Sequence, residues 1–593
     1  MFKGTSARKL FARFMTWLGT FTFIGIVVAI LVSLWFATPG VPQAVILEIN
    51  LEQVFAEYVP DGPLAQVATK DTNLIRTTVE ALYRAAEDKR VVALIARVGN
   101  TNMGIAKIQE IRDAVLFFRK SGKPAIAWAE TLGELSSGTK GYYLATAFDE
   151  FYLSPSGDVN ITGLTAESPF FKGALDKLGV IPRMDHRYEY KNAMNLFTET
   201  KFTAAHREAM KGIIDSLFDQ LVQDTARARK LSAEQMRQIF QKGPYLGTEA
   251  KTLGLIDGLK YRDEVYRLLR DKVGDKAKLL YVNEYRQRDG GPYQSGDSIA
   301  LIYGVGAIHR GQSQYSLITG SSMGSDTVAK AFRSAIEDDK VKAIVFRIDS
   351  GGGSAVASDA IWRETLRAKE AGKPVIVSMS DVAGSGGYWV AMHANKIVAQ
   401  PGTITGSIGV LGGKVSSKPF FEKLGVTFDK VQTTKNGTMW SLVYDYTPDE
   451  WLHVQAFLDK IYVTFTQRVA DGRQLQIEQV RRIAKGRIWT GQDAKRLGLV
   501  DELGGLPLAI QLAKEAAHIS ADKPIKLVEF PKKSPPLKQL LGAQPFNSEE
   551  TVAVEALSQF ATSIEPLLSL FVQLGVTEQS GAVQMPNTVR SIQ

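Results

Sequence analysis

Two glycine-rich segments and one lysine hold most of the chemistry this sequence offers. Thr405-Gly406-Ser407-Ile408-Gly409 sets a hydroxyl between glycines. Such flanks permit a sharp turn that presents Oγ, as a nucleophile requires, although a serine in a polar loop reads the same way. Upstream, Asp349-Ser350-Gly351-Gly352-Gly353-Ser354 carries three glycines in a row. Their N–H groups stand unshielded by side chains, which suits an oxyanion site; a plain tight turn is the alternative. A serine nucleophile needs a base. His186, His206, His309, His393, His453 and His518 stand in no triad motif, and no H-E-x-x-H zinc signature occurs. Lysine serves only when neutral, so its pKa must fall from about 10.4 through burial or nearby positive charge. Lys191, in Tyr188-Glu189-Tyr190-Lys191-Asn192, follows an expected strand in an aromatic-rich stretch. Composition alone leaves it an ordinary surface lysine. A formal G-x-S-x-G at Gly320–Gly324 lacks the buried strand of a nucleophile elbow, and Ser325 or Asp326 beside it reads as a helix N-cap.

These positions gain weight because the chain repeats itself. Ala93–Val98 (ALIARV) returns as Ala343–Ile348 (AIVFRI), Gly141-Tyr142-Tyr143 as Gly387-Tyr388-Trp389, and Lys177–Val180 (KLGV) as Lys423–Val426. Ala250–Asp257 (AKTLGLID) returns as Ala494–Asp501 (AKRLGLVD). Ordered matches at a nearly constant spacing mean a tandem duplication of roughly 245 residues. The first copy has Leu164 where the second has Ser407, and Gly99–Gly104 (GNTNMG) in place of the triple-glycine turn. Lys435 falls at the position of Lys191 when both are counted back from Thr447 and Thr203.

The elements that must hold these residues alternate. Val341–Ile348 reads as a buried strand, a glycine turn follows, then a helix near Ala357–Ala371 and a strand at Val375–Met379. Tyr388–Ala394 reads as helical and Lys396–Ala399 as extended. This pattern implies an α/β core in each copy. The stretches after Thr203 and Thr447 carry apolar residues at helical spacing.

With 593 residues, 45% hydrophobic and 22% charged, the chain is too long for one core and too apolar for wholesale disorder. The net charge of +9 comes with no nucleic-acid-binding motif, and the absence of cysteine excludes disulfides, thiolate metal sites and cysteine nucleophiles. Lys3, Arg8, Lys9 and Arg13 precede an uncharged apolar run at 16–36, long enough for a signal anchor with the basic flank inside. A cleaved signal peptide is the competing reading, with only a poor cleavage site at Phe36-Ala37-Thr38-Pro39. The organisation expected is 1–15 basic flank, 16–36 transmembrane anchor, 44–285 first repeat, 296–520 second repeat and 521–593 tail. In that tail Val552–Leu574 is weakly amphipathic.

Ile404–Val410 (ITGSIGV), Gly384–Thr403 (GSGGYWVAMHANKIVAQPGT) and the DSGGGS turn together resemble the signal peptide peptidase A family of Ser/Lys peptidases. The tandem length, the N-terminal anchor and the repeated AxxLGL(I/V)D resemble its long, membrane-bound protease IV branch. The resemblance spans about residues 40–520 and implies a crotonase/Clp-protease-like domain in each copy. It implies that Ser407 attacks the scissile carbonyl, that Lys191 is general base and then protonates the leaving amine, and that the Gly352 and Gly353 amides bind the oxyanion. The family's N-S-P-G-G-S turn here has Asp349 for Asn and Gly351 for Pro, which predicts a looser turn. Implied partners are remnant signal peptides and other short unfolded peptides, membrane lipid through residues 16–36, and further copies of the chain, as a tetramer. No nucleic acid, metal or cofactor is expected. The place implied is a bacterial inner membrane, with the catalytic part in the periplasm. If copies alternate around a ring, Lys435 meets a degenerate site containing Leu164. The rival readings are a crotonase-type acyl-CoA enzyme and a catalytically idle membrane scaffold of the same fold.

Overall fold

The computed structural model describes residues 40–60, 69, 72–316, 319–532 and 582–584, with scattered helical positions between 15 and 26. Most of the apolar run at 16–36, and Val552–Leu574, lie outside the described residues. Among the described residues no helix is long and apolar enough to cross a membrane.

The duplication is visible in the order of the strands. The first sheet runs Lys278–Tyr281, Val45–Asn50, Val91–Arg97, Ala125–Ala129, Glu150–Leu153, Gly258–Leu259, all parallel. The second runs Ile525–Phe530, Asp297–Val305, Val341–Ser350, Val375–Gly384, Lys396–Ala399, Glu502–Leu503, again parallel. Parallel pairing demands crossovers, and helices such as Ile105–Arg119 and Ala355–Glu370 supply them. Central strands covered on both faces are therefore mostly buried and mostly apolar, as Val341–Ser350 is apart from Lys342 and its ion-paired end. The second copy alone extends its Val375–Gly384 strand far enough to pair with Ile404–Gly406, which pairs antiparallel with Ile488–Thr490. This added corner carries Ser407.

Several local expectations needed correction. The helix expected at Ala357–Ala371 begins at Ala355, capped by the Ser354 hydroxyl accepting from the Ala357 amide. The expected Tyr388–Ala394 helix is a single turn, Gly386–Trp389, whereas Lys396–Ala399 is extended as read. Gly320–Gly324 is itself a strand, and the next helix starts at Ser325 with Gly324 as its N-cap and no side-chain cap. Neither Ser325 nor Asp326 is therefore the cap. The long helices Ala204–Arg229 and Pro448–Arg473 do start at Thr203 and Thr447, whose hydroxyls accept from His206 and Glu450 amides. Both ends satisfy an otherwise orphaned N–H in the same way.

The copies share a core. Val382, Ile404 and Ile488 of the second copy are buried in the cluster built mainly from the first. Arg347 is fully buried and pairs with Glu57 at 2.8 Å and Glu110 at 2.6 Å, both from the first copy. Lys107 of the first copy reaches Asp349 at 2.8 Å and Asp381 at 3.1 Å. Burial pulls the Lys107 ammonium down, but Asp349, Asp381 and Glu57 outweigh it and hold the lysine charged. Asp349 also accepts from the Val382 amide. Where a looser turn was expected, this aspartate ties the turn to the other copy.

Candidate active site

Strand exchange between the copies builds the site. Ile181–Arg187 of the first copy pairs antiparallel with Val410–Ser416 of the second, Arg187 opposite Val410 and Ile181 opposite Ser416. Ser407 lies three residues before that strand and Lys191 four residues after its partner, so the pairing delivers both side chains to one place. Lys191 Nζ stands 3.0 Å from Ser407 Oγ, 2.9 Å from the Ser407 carbonyl oxygen and 2.6 Å from Ser385 Oγ.

Ser407 sits in the left-handed region at φ 53°, after Gly406 at φ 79°. Its amide donates to the Arg487 carbonyl at 2.7 Å, which fixes the turn. Held conformations of this kind are costly and persist only where surroundings enforce them. Lys191 and Ser407 are 1% and 2% exposed. Burial alone pushes the Lys191 pKa down to about 7. The three partners fit a neutral amine: two N–H bonds donate to the Ser407 carbonyl and Ser385 Oγ, leaving the lone pair to accept the Ser407 proton. Gly486 packs so closely over Lys191 that a Cβ there would stand 2.5 Å from the lysine Cβ.

Ser385 escaped the sequence reading. It is fully buried, has φ 56°, and its amide donates to the Gly406 carbonyl at 2.8 Å. Two signals were available: glycines flank it, and Thr139 holds its position in the first copy when both are counted back from the matching Gly-Tyr pairs. Gly386 and Gly387 then let this turn press on the triple-glycine turn. A Cβ on Gly387 would lie 2.5 Å from the Ser350 carbonyl, and one on Gly386 3.1 Å from Gly352 Cα and from Gly353 N.

Of the two expected oxyanion donors, the Gly352 amide is engaged, donating to Ser350 Oγ at 3.1 Å. Ser350 Oγ in turn donates to the Gly306 carbonyl. Gly353 is pressed onto Ile308, whose carbonyl oxygen would lie 2.0 Å from a Cβ. The glycine at 352 is also required by its φ of 99°.

The other candidates fall elsewhere. Of the histidines, His206 lines the recess beside Lys191 and Ser407, with both ring nitrogens buried and without a hydrogen-bond partner. Burial takes its pKa down to about 4, so it is neutral and linked to neither member of the pair. Lys435 is exposed and paired with Asp449 at 2.9 Å, while Leu164 packs against the first core; a single chain does not bring the two together. Among the described residues no group of His, Asp and Glu could hold a metal ion.

The model of peptidase family S49 matches residues 117–276 and 367–520, one segment in each copy. The chain belongs to peptidase family S49. It is 33% identical to the chloroplastic serine protease SPPA of Arabidopsis thaliana, over 78% of this chain and 68% of that one. It is 34% identical to Protease 4 of Salmonella typhi over 75% and 72%, and 31% identical to Protease 4 of Haemophilus influenzae over 80% and 77%. Among solved structures, ClpP1 of Listeria monocytogenes aligns at TM-score 0.23 and 15% identity, over 35% of this chain and 94% of that one; at that score it carries no argument. The two matched segments lie one in each copy, and Ser407 of the second has Leu164 at its position in the first.

Proposed function

We propose that the chain is a membrane-anchored serine endopeptidase that cleaves remnant signal peptides and other short unfolded peptides through a Ser407–Lys191 dyad. The observation that carries this is the buried lysine amine 3.0 Å from a buried serine hydroxyl, with burial holding that lysine near neutrality. Membership of a peptidase family supports the reaction class.

The steps follow from the geometry. Ser407 Oγ bonds to the scissile carbonyl carbon while its proton passes to Lys191 Nζ. The carbonyl π electrons move to oxygen, where the Gly353 amide receives the charge; the Gly352 amide is already drawn to Ser350 Oγ. As the carbonyl re-forms, the C–N bond breaks and Lys191 returns the proton to the leaving amine. Water then attacks the acyl ester while its proton passes to Lys191; as the carbonyl re-forms, the acyl C–Oγ bond breaks, Lys191 returns the proton to Ser407 Oγ and the carboxylic product leaves. Ser385 Oγ accepts from Lys191 and so turns the neutral amine's lone pair toward Ser407. Donors preset for the oxyanion and a base with its pKa near working pH are what this chemistry needs.

The basic flank and the apolar run at 16–36 support a retained anchor in a bacterial inner membrane, with the dyad on the periplasmic side. Each copy reads as a Clp-protease-like domain, consistent with its parallel strand order. Assembly into a ring of four would let Lys435 of one chain face the Leu164 region of its neighbour. A fluorophosphonate probe tests the core of this reading. Labelling at Ser407 is expected, lost in Ser407→Ala and Lys191→Ala and kept in Lys435→Ala. An intact, folded enzyme that takes no label, or that loses it only in Lys435→Ala, refutes the dyad.

A further inference from the structure

The turn that carries Gly352 and Gly353 is held from the first copy. Between Ile348 and Ser350 the pairing of Val341–Ser350 with Val375–Gly384 slips register. Asp349 sits at that slip, and its side chain takes up the Val382 amide at 3.2 Å in place of a ladder bond. Its main-chain carbonyl accepts from the Gly306 amide at 2.9 Å. A carboxylate only 8% exposed needs a counter-charge. Lys107 of the first copy supplies it from 2.8 Å.

That ammonium arrives on the first copy's own counterpart of the turn. Gly99–Gly104 stands where the second copy has its glycine turn, and helix Ile105–Arg119 follows it as Ala355–Glu370 follows the other. Gly104 is the N-cap of that helix and has no side chain to cap with. Asp381 of the second copy caps it instead, accepting from the Gly104 amide at 3.2 Å and the Lys107 amide at 3.0 Å. A Cβ on Gly104 would lie 2.3 Å from the Asp381 carboxyl carbon. Lys107 Nζ thus stands between two largely buried carboxylates, Asp349 and Asp381. Asp349 leads into the glycine turn, and Asp381 lies in the strand that leads to Ser385. A cavity of about 180 Å³ borders all three side chains. With the ammonium removed, the carboxylates repel one another. The cavity gives Asp349 room to withdraw, and the turn goes with it.

We propose that Lys107 is a positioning residue, which acts through Asp349 to hold the oxyanion turn of the other copy where the Gly353 amide can meet the developing charge. The proposal rests on Ser407 and Lys191 being the dyad. It gives the first copy a second part in the reaction. Besides the base, that copy sets the geometry of the oxyanion donor, with a degenerate turn recast as a clamp on the working one.

The test compares the parent chain with Lys107→Met, Asp349→Asn and the double variant. Each is assayed well below its melting temperature for kcat and KM on a short unstructured peptide. Each is also titrated with a peptide aldehyde and with the matching peptide alcohol. Ser407 Oγ bonds to the aldehyde carbon, its proton passes to Lys191, and the carbonyl oxygen takes the negative charge that the Gly353 amide must bind. The alcohol occupies the same trough and forms no such oxyanion. Lys107→Met should lower kcat by ~10–100-fold and weaken the aldehyde by a similar factor, with KM and alcohol binding within about twofold of the parent. Asp349→Asn keeps an acceptor for the Val382 amide but gives up the ion pair, and should lose ~2–5-fold in kcat. The double variant should match Asp349→Asn, a recovery over Lys107→Met that shows the two residues acting as one unit. Parent-like kcat in Lys107→Met overturns the proposal, and so does equal weakening of aldehyde and alcohol. Should Lys107→Met fail to fold, the double variant is read against Asp349→Asn alone. A further ~10-fold loss there means that Lys107 does not act through Asp349 and overturns the proposal as well. A parent chain that takes no fluorophosphonate at Ser407 counts against the dyad instead, so the two ideas fail separately.

Discussion

The lysine's protonation state offers the sharpest handle on this enzyme. Burial takes Lys191 from its usual 10.5 to about 7. At pH 7 an unperturbed lysine would be neutral in only about 3 of 10⁴ molecules, whereas here about half are, a gain of ~10³ in competent base. Labelling of Ser407 by a fluorophosphonate should therefore climb about tenfold per pH unit below 7 and level off above about pH 8. The same shift acts on stability with a definite sign. Between about pH 7 and 10.5 the unfolded chain binds the proton that the folded chain rejects, so this group's contribution rises with pH across that window. Below pH 7 both states are protonated and the penalty is constant, on the order of 5 kcal/mol for so large a shift. Lys191→Met should then be inactive yet more stable than the parent at pH 7 in a urea titration, the difference shrinking toward pH 10. A labelling profile that is flat, or has its midpoint near 10, would refute the reasoning, because either means that Lys191 is not the buried neutral base.

Three further outcomes follow from contacts already described. Ser385→Ala deletes the 2.6 Å acceptor of Lys191 and should cut kcat by ~10–100-fold at nearly unchanged KM and melting temperature, which separates lost orientation of the base from lost folding. Gly387→Ala sets a Cβ 2.5 Å from the Ser350 carbonyl; displacement of the glycine turn should cost ~1–3 kcal/mol by thermal unfolding and reduce kcat more than KM. Arg347→Met leaves Glu57 and Glu110 buried without their shared partner, and chemical denaturation should show a loss of ~3–5 kcal/mol.

Much of the architecture was legible because a duplication writes each signal twice. Strands covered on both faces announce themselves as runs rich in β-branched residues, and the strands read at Val341–Ile348 and Val375–Met379 are present, extended to Ser350 and Gly384. Ser407 stood out because its counterpart is Leu164. What stayed hidden depends on distance in sequence. Ser385 and Lys191 are separated by 194 positions, and no local pattern tells a buried acceptor from a serine in a glycine loop. Asp349 looked like a flaw in the turn because its compensation, Lys107, comes from the other copy. The single-turn helix at Gly386–Trp389 was overextended for a related reason. Its apolar continuation, Val390–Met392, is buried by packing rather than by helical periodicity.

The pairing of Ile181–Arg187 with Val410–Ser416 also gives the enzyme a schedule. On the proposed dyad, a ribosome making this chain releases Lys191 first and Ser407 more than two hundred residues later. Throughout that interval the emerging half holds a lysine with nothing to activate, so the newborn polypeptide is harmless to itself and to its neighbours. If the dyad is the active site, hydrolytic competence arrives only when the second half has folded back onto the first, and synthesis that stops early leaves a fragment without Ser407.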